Sequence, residues 1–179
     1  MKGGATRAVS ALAVIGLTLS GGGCGYRFVG DGPARLPEGY RAVSVLEFEN
    51  RSAEIQLGSW CAKALQDEVA NASRRLTSPQ EADLVLDGVV VGVSEHPLAF
   101  AGDAQGRQLE MEAEVAVTVA ARASGREVFR DAGAGRGRYM ATGDPGSVDA
   151  QRRRALRRAC VAAVGEALAA MEVALSKEE

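Results

Sequence analysis

The sequence predicts an α+β fold, a two-layer sandwich in which a four-stranded sheet carries two helices on one face, in the order β-α-β-β-β-α. Three observations lead there. Leu109, Met111, Ala113, Val115, Val117, Val119 and Ala121 alternate with Glu110, Glu112, Glu114, Thr118 and Arg122, the period of two of a strand with one buried face. Two longer segments, 54–75 and one from Asp144-Pro145 or Ser147 to about Ser176, repeat their apolar residues at helical spacing. The strands lie before and between these helices, and one sheet with both helices on its apolar face satisfies that order.

The first strand is Ala42 to Phe48, with Val43, Val45 and Glu47 facing one way and Leu46 and Phe48 the other. Asn50-Arg51-Ser52 turns the chain into the first helix, which ends near Arg74 and Arg75, where positive charge suits the helix dipole. Leu84 to Ser94 is a Val-rich second strand. Gly88 and Gly92 share one of its faces, which implies close approach of a helix or a bulge. A loop is expected from Glu95 to Arg107, then the alternating third strand. Ala123-Ser124-Gly125 closes a hairpin onto the fourth strand, Arg126 to Met140, loosened by Gly133, Gly135 and Gly137. With one Trp, three Tyr and four Phe in 179 residues, the core must be built from small aliphatics.

The N-terminus is set apart. Lys2 and Arg7 precede an apolar run from Ala8 to Leu19, too short for a bilayer, which needs ~20 residues. Small residues follow and end at Cys24. This is the layout of a secretory signal, and its cysteine ending resembles a bacterial lipoprotein signal, in which the thiol and the new amine are acylated. Gly21 stands where that pattern usually has leucine. The alternative is an ordinary secreted chain with a free or bonded Cys24. The expected organisation is a signal over 1–23, a lipidated tether over 24–40 rich in Gly and Pro, and one α+β domain over 41–179. Several acyl chains would hold such a domain on a membrane.

The net charge of −2 excludes a general nucleic-acid binder. Arg126, Arg130, Arg136 and Arg138 share one parity on the fourth strand. A three-residue loop would set Glu110 opposite Arg138 and Glu112 opposite Arg136. Two readings stand: cross-strand charge pairing, or contact of spare arginines, Arg126 and Arg130 especially, with lipid phosphates. A second basic run, Arg152 to Arg158, places Arg153, Arg154, Arg157 and Arg158 opposite the Leu156, Ala159, Ala163 stripe. It is a solvated helix face or a contact for an acidic partner or lipid headgroups. Cys61 and Cys160 each lie in an apolar helical stripe. They form a disulfide if their helices are neighbours, and otherwise serve as small buried hydrophobes.

Enzyme chemistry finds little to hold. The chain has no G-x-S-x-G, no phosphate-binding loop and no H-E-x-x-H. His96 is its one histidine, so no metal-ligand spacing exists with the cysteines. No cofactor and no catalytic residue are expected.

Taken together, "CGYRF" (Cys24 to Phe28), "LPEGYRAVSVLEFENRS" (Leu36 to Ser52), "SGREVF" (Ser124 to Phe129) and the order of elements resemble the LPS-assembly lipoproteins, the LptE family. Tyr139 falls where many members carry an aromatic. The resemblance implies a lipid-anchored, palmitate-bearing protein of the outer membrane that plugs and helps assemble an LptD-like β-barrel, aiding lipopolysaccharide insertion into the outer leaflet. It implies no bond chemistry. The Ala-rich core departs from the family. "RAVSVLEFENRS" also resembles the opening strand of outer-membrane lipoproteins that activate peptidoglycan synthases or form curli-type export pores.

Overall fold

A computed structural model of the chain describes residue 36 and residues 39–103 and 106–175. The expected signal segment, Cys24 and most of the tether lie outside the described residues. The elements are β1 (Ala42–Val45), β2 (Glu49–Asn50), α1 (Leu57–Asn71), β3 (Arg75–Leu76), β4 (Leu84–Asp103), β5 (Gly106–Ala123), β6 (Arg126–Met140) and α2 (Pro145–Leu175). The α+β class stands. The sheet has six strands among the described residues rather than four, ordered β3-β1-β4-β5-β6 with β2 also on β4. β1 runs parallel to both β3 and β4, so α1 is a crossover connection. β4, β5 and β6 form an antiparallel meander.

The two extra strands come from segments that the periodicity merged with their neighbours. The expected first strand splits into β1 and β2, because residues 46–48 leave the ladder between them. The alternation therefore restarts. Val43 and Phe48 are both buried while Leu46 is exposed. A Cβ at Gly88 would overlap the Phe48 ring, so the close approach there is by an aromatic side chain and not a helix. Gly92 lies beside a bulge. The first helix stops at Asn71, short of the expected Arg75, because Ser73 turns left-handed at φ 57°. Arg75 and Leu76 then pair with β1. Leu36, within the expected tether, is buried in the core, and its carbonyl accepts a hydrogen bond from Arg74 Nη2 at 3.0 Å.

The expected loop from Glu95 to Arg107 is instead a ribbon, with pairing that continues from Glu95↔Ala113 to Asp103↔Gly106. Pro97, which cannot donate to a ladder, is accommodated by a register shift between Pro97 and Ala99. The β5–β6 turn is one residue tighter than expected. Ser124 and Gly125, at φ 50° and 76°, are both left-handed, the geometry of a two-residue hairpin turn that matches strand twist. A second shift at Ala121/Arg122 moves the register again. Glu112 therefore opposes Arg138 and Glu114 opposes Arg136, while Glu110 opposes Met140.

The core lies between the helices and one sheet face. Val115, Val117, Val119 and Ala121 of β5 pack with Leu57, Leu65, Leu156, Leu168 and Met171 of the helices. Where α2 crosses β6, alanines meet glycines. A Cβ on Gly137, Gly135 or Gly133 would come well inside 3.0 Å of the main-chain oxygen of Ala155, Ala159 or Ala163, respectively. Four helical residues rise about 6 Å and two strand residues about 6.7 Å. An alanine every fourth residue on α2 can thus stay in step with a glycine every second residue on β6. The glycines read as loosening elements are the seat of the helix. Cys61 of α1 and Cys160 of α2 are joined by a disulfide, with Cα atoms 4.9 Å apart.

Candidate functional site

With both helices on one side, the other face of β4, β5 and β6 is left open, and it sorts into three bands. At one end Arg136 Nε donates to Glu114 Oε2 at 2.8 Å, and Arg138 Nε to Glu112 Oε2 at 3.3 Å. At the other, Arg122 pairs with Asp87, and Arg130 holds Glu127 through contacts of 2.5 to 3.1 Å. Between them lie Val89, Ala116, Thr118, Ala132 and Ala134, small residues on neighbouring strands. A shallow groove opens at the second charged end, lined by Leu46, Glu49, Asp87, Val89, Arg122 and Arg130.

The four arginines expected to act together are divided by this register. Arg136 and Arg138 stand in cross-strand ladders, and the hydrogen bond that Arg136 donates to Glu114 raises the pKa of its guanidinium. Arg130 is bonded to Glu127, whose carboxyl it holds below the usual range. Arg126 is exposed beside the turn, without an ion pair among the described residues. Arg130, Arg136 and Arg138 keep one face with local carboxylates as partners, whereas the shift at Ala121/Arg122 sets Arg126 opposite Ala123, on the other face from Glu127. His96 is exposed on β4 rather than on a loop. No group of three or more metal-ligating side chains occurs among the described residues, and no described helix is long and apolar enough to cross a membrane.

A second polar cluster escaped the sequence reading. Arg152 Nη2 donates to Glu54 Oε1 at 2.5 Å and Arg152 Nε to Glu95 Oε1 at 2.7 Å, while the Tyr139 hydroxyl donates to Glu95 Oε2 at 2.9 Å. These groups join the loop before α1, β4, β6 and the start of α2. The hydrogen bond from Arg152 lowers the Glu54 pKa despite partial burial. Burial first, then the bond to Glu95, raises that of Tyr139. A signal did exist. Arg152 precedes Leu156 by four residues and Ala159 by seven, which puts it on the inward stripe of α2. A guanidinium there must find carboxylates.

Fold and site together define a small α+β sandwich with one sheet face packed under helices and the other open and charge-laddered. The sequence model of the LptE family, described as lipopolysaccharide-assembly, matches residues 40–171, and the chain belongs to that family. Among solved structures it is similar to the rare lipoprotein B of Shewanella oneidensis (11% identity, 77% of this chain and 99% of that one, TM-score 0.48). It is also similar to a minor lipoprotein of Acinetobacter baumannii (10%, 76% and 95%, 0.46) and a putative lipoprotein of Caulobacter crescentus (17%, 74% and 92%, 0.45). These distant likenesses carry no argument about function. No curated protein sequence matches the chain.

Proposed function

We propose that this chain is a lipid-anchored protein of the outer membrane that plugs and helps assemble the β-barrel of a lipopolysaccharide translocon, aiding lipopolysaccharide insertion into the outer leaflet. Membership of the lipopolysaccharide-assembly family over residues 40–171 carries the reading. The anchor is Cys24, acylated after removal of residues 1–23, and the domain faces the periplasm. The partners are an LptD-like barrel and lipopolysaccharide itself.

The open sheet face supports this role physically. A domain seated inside a barrel needs one rigid layer and one surface that meets the polar lumen. Here the disulfide and the alanine–glycine seam fix the helical layer. The charged bands offer arginines to phosphates at Arg130, Arg136 and Arg138, and Arg126, exposed at the hairpin turn beside them, is the most available. No bond is made or broken in this role, and no cofactor is required.

Depletion of the chain, followed by measurement of surface lipopolysaccharide, tests the role. The expected result is loss of surface lipopolysaccharide with accumulation inside the envelope. Unchanged surface levels would overturn the assignment. Purification of the intact lipoprotein after mild solubilisation tests the partner, and recovery with no barrel protein would sink the plug.

A further inference from the structure

The helical layer carries an exposed patch that neither the sheet face nor the family role uses. Ile55, just before α1, is 93% exposed, although Glu54 beside it is fixed by Arg152. Five residues on, the Trp60 ring, half-buried against the core, lies under the Arg157 guanidinium, 4.7 Å from Cζ to the ring centroid. These two contacts hold the segment 54–60 against the N-terminal turns of α2. That part of α2 exposes Arg153, Arg154, Arg157 and Arg158, and Val161 one turn on is half exposed. Arg153 pairs with Asp149, and Arg158 donates to the Arg138 carbonyl at 2.6 Å. Among the described residues no carboxylate pairs with Arg154, Arg157 or Arg158. Like charges four residues apart on a helix repel, so the cluster is disfavoured unless negative charge covers it.

We propose that this patch, with Ile55 as its apolar tip, the half-buried Trp60 at its base and Arg154 and Arg157 as its charged collar, docks the domain on an anionic lipid surface. An indole ring with an apolar body and a polar N–H suits the bilayer interface, and guanidinium groups bind lipid phosphates bidentately. The apolar part is a tip and not a broad face, which fits insertion between headgroups better than a protein interface of about 800 Å² per partner. The patch lies on the helical layer, so it leaves the open sheet face free.

Trp60 is the chain's single tryptophan, so its emission reports this patch whatever the N-terminus does. The full chain is titrated with vesicles of brominated phosphatidylcholine, alone or mixed equally with brominated phosphatidylglycerol. Quenching and a blue shift are expected in the mixed vesicles and not in the neutral ones. Arg154→Gln with Arg157→Gln should raise the vesicle concentration needed by roughly 25-fold, about fivefold for each arginine. Ile55→Asp, at a side chain that packs on almost nothing, should abolish quenching while the helical circular dichroism is kept. Equal quenching in both vesicle types, none in either, or no effect of both variants would overturn the proposal. So would a Trp60 shift with poly-glutamate at concentrations where anionic vesicles give none, since the partner would then be an acidic protein.

Discussion

Arg152 reaches Glu95 across 57 residues of sequence, Nε to Oε1 at 2.7 Å, and ties the start of α2 to β4. With Glu54 and Tyr139 it closes a cluster whose members are each less than a third exposed. Truncating Arg152 leaves the partly buried Glu54 without its bond and Glu95 with Tyr139 alone. Arg152→Ala should therefore destabilise the fold by ~1–3 kcal/mol in urea unfolding, and Arg152→Lys should recover only part, since an ammonium lacks the two-pronged geometry. The pH dependence has a definite sign. The folded pKa of Glu54 lies below its ordinary 4.5, so its contribution is present above that value and disappears as pH falls through the lowered one. The gap between wild type and Arg152→Ala should narrow in acid. A gap that stays constant there would exclude the ionised Glu54 as its source.

The alanine–glycine seam tolerates no added carbon. Gly135→Ala would drive a Cβ into the Ala159 carbonyl, with main chain on both sides and no flexible side chain to yield. A cost of ~1–3 kcal/mol or more is expected. Gly92→Ala meets nothing within 4 Å and should stay within about 0.5 kcal/mol. Thermal unfolding of the two variants side by side is the check, and equal midpoints would refute the seam.

The Cys61–Cys160 bond spans 99 residues. Replacing both cysteines with alanine should cost roughly 2–4 kcal/mol, chiefly by freeing the unfolded chain. Non-reducing electrophoresis should show wild type migrating faster than its reduced form. Identical mobility would mean that the thiols are free.

Arg126 and Arg136 separate binding from folding. Arg126→Glu removes a cation with no ion pair among the described residues. It should leave the unfolding midpoint in place while weakening retention of lipopolysaccharide by the purified chain. Arg136→Ala should lower retention less, because Glu114 already occupies that guanidinium. Retention unchanged in both variants would remove the arginines of β6 from the proposed function.

Much of the fold was legible in the residues. The alternation on β5 and the stripe on α2 required no knowledge of any other element, because burial of one face writes its period directly into the chain. The small-residue core was legible too, though not its reason, the matched steps of helix and strand. The candidate face was half legible. The parity of Arg130, Arg136 and Arg138 placed them together, but their partners were shifted.

By itself the sequence determined the α+β class, the identity of both helices, the strand that alternates most cleanly and the face each buries. These are local properties, set by which side chains leave water. Only the tertiary structure decided the register and the added strands at β2 and β3. It also decided the ribbon where a loop was expected and the cluster around Arg152. Register is a sum over the chain. One residue fewer in the turn at Ser124-Gly125 and one shift at Ala121/Arg122 move every later pair. No window of sequence short of the whole hairpin contains that sum.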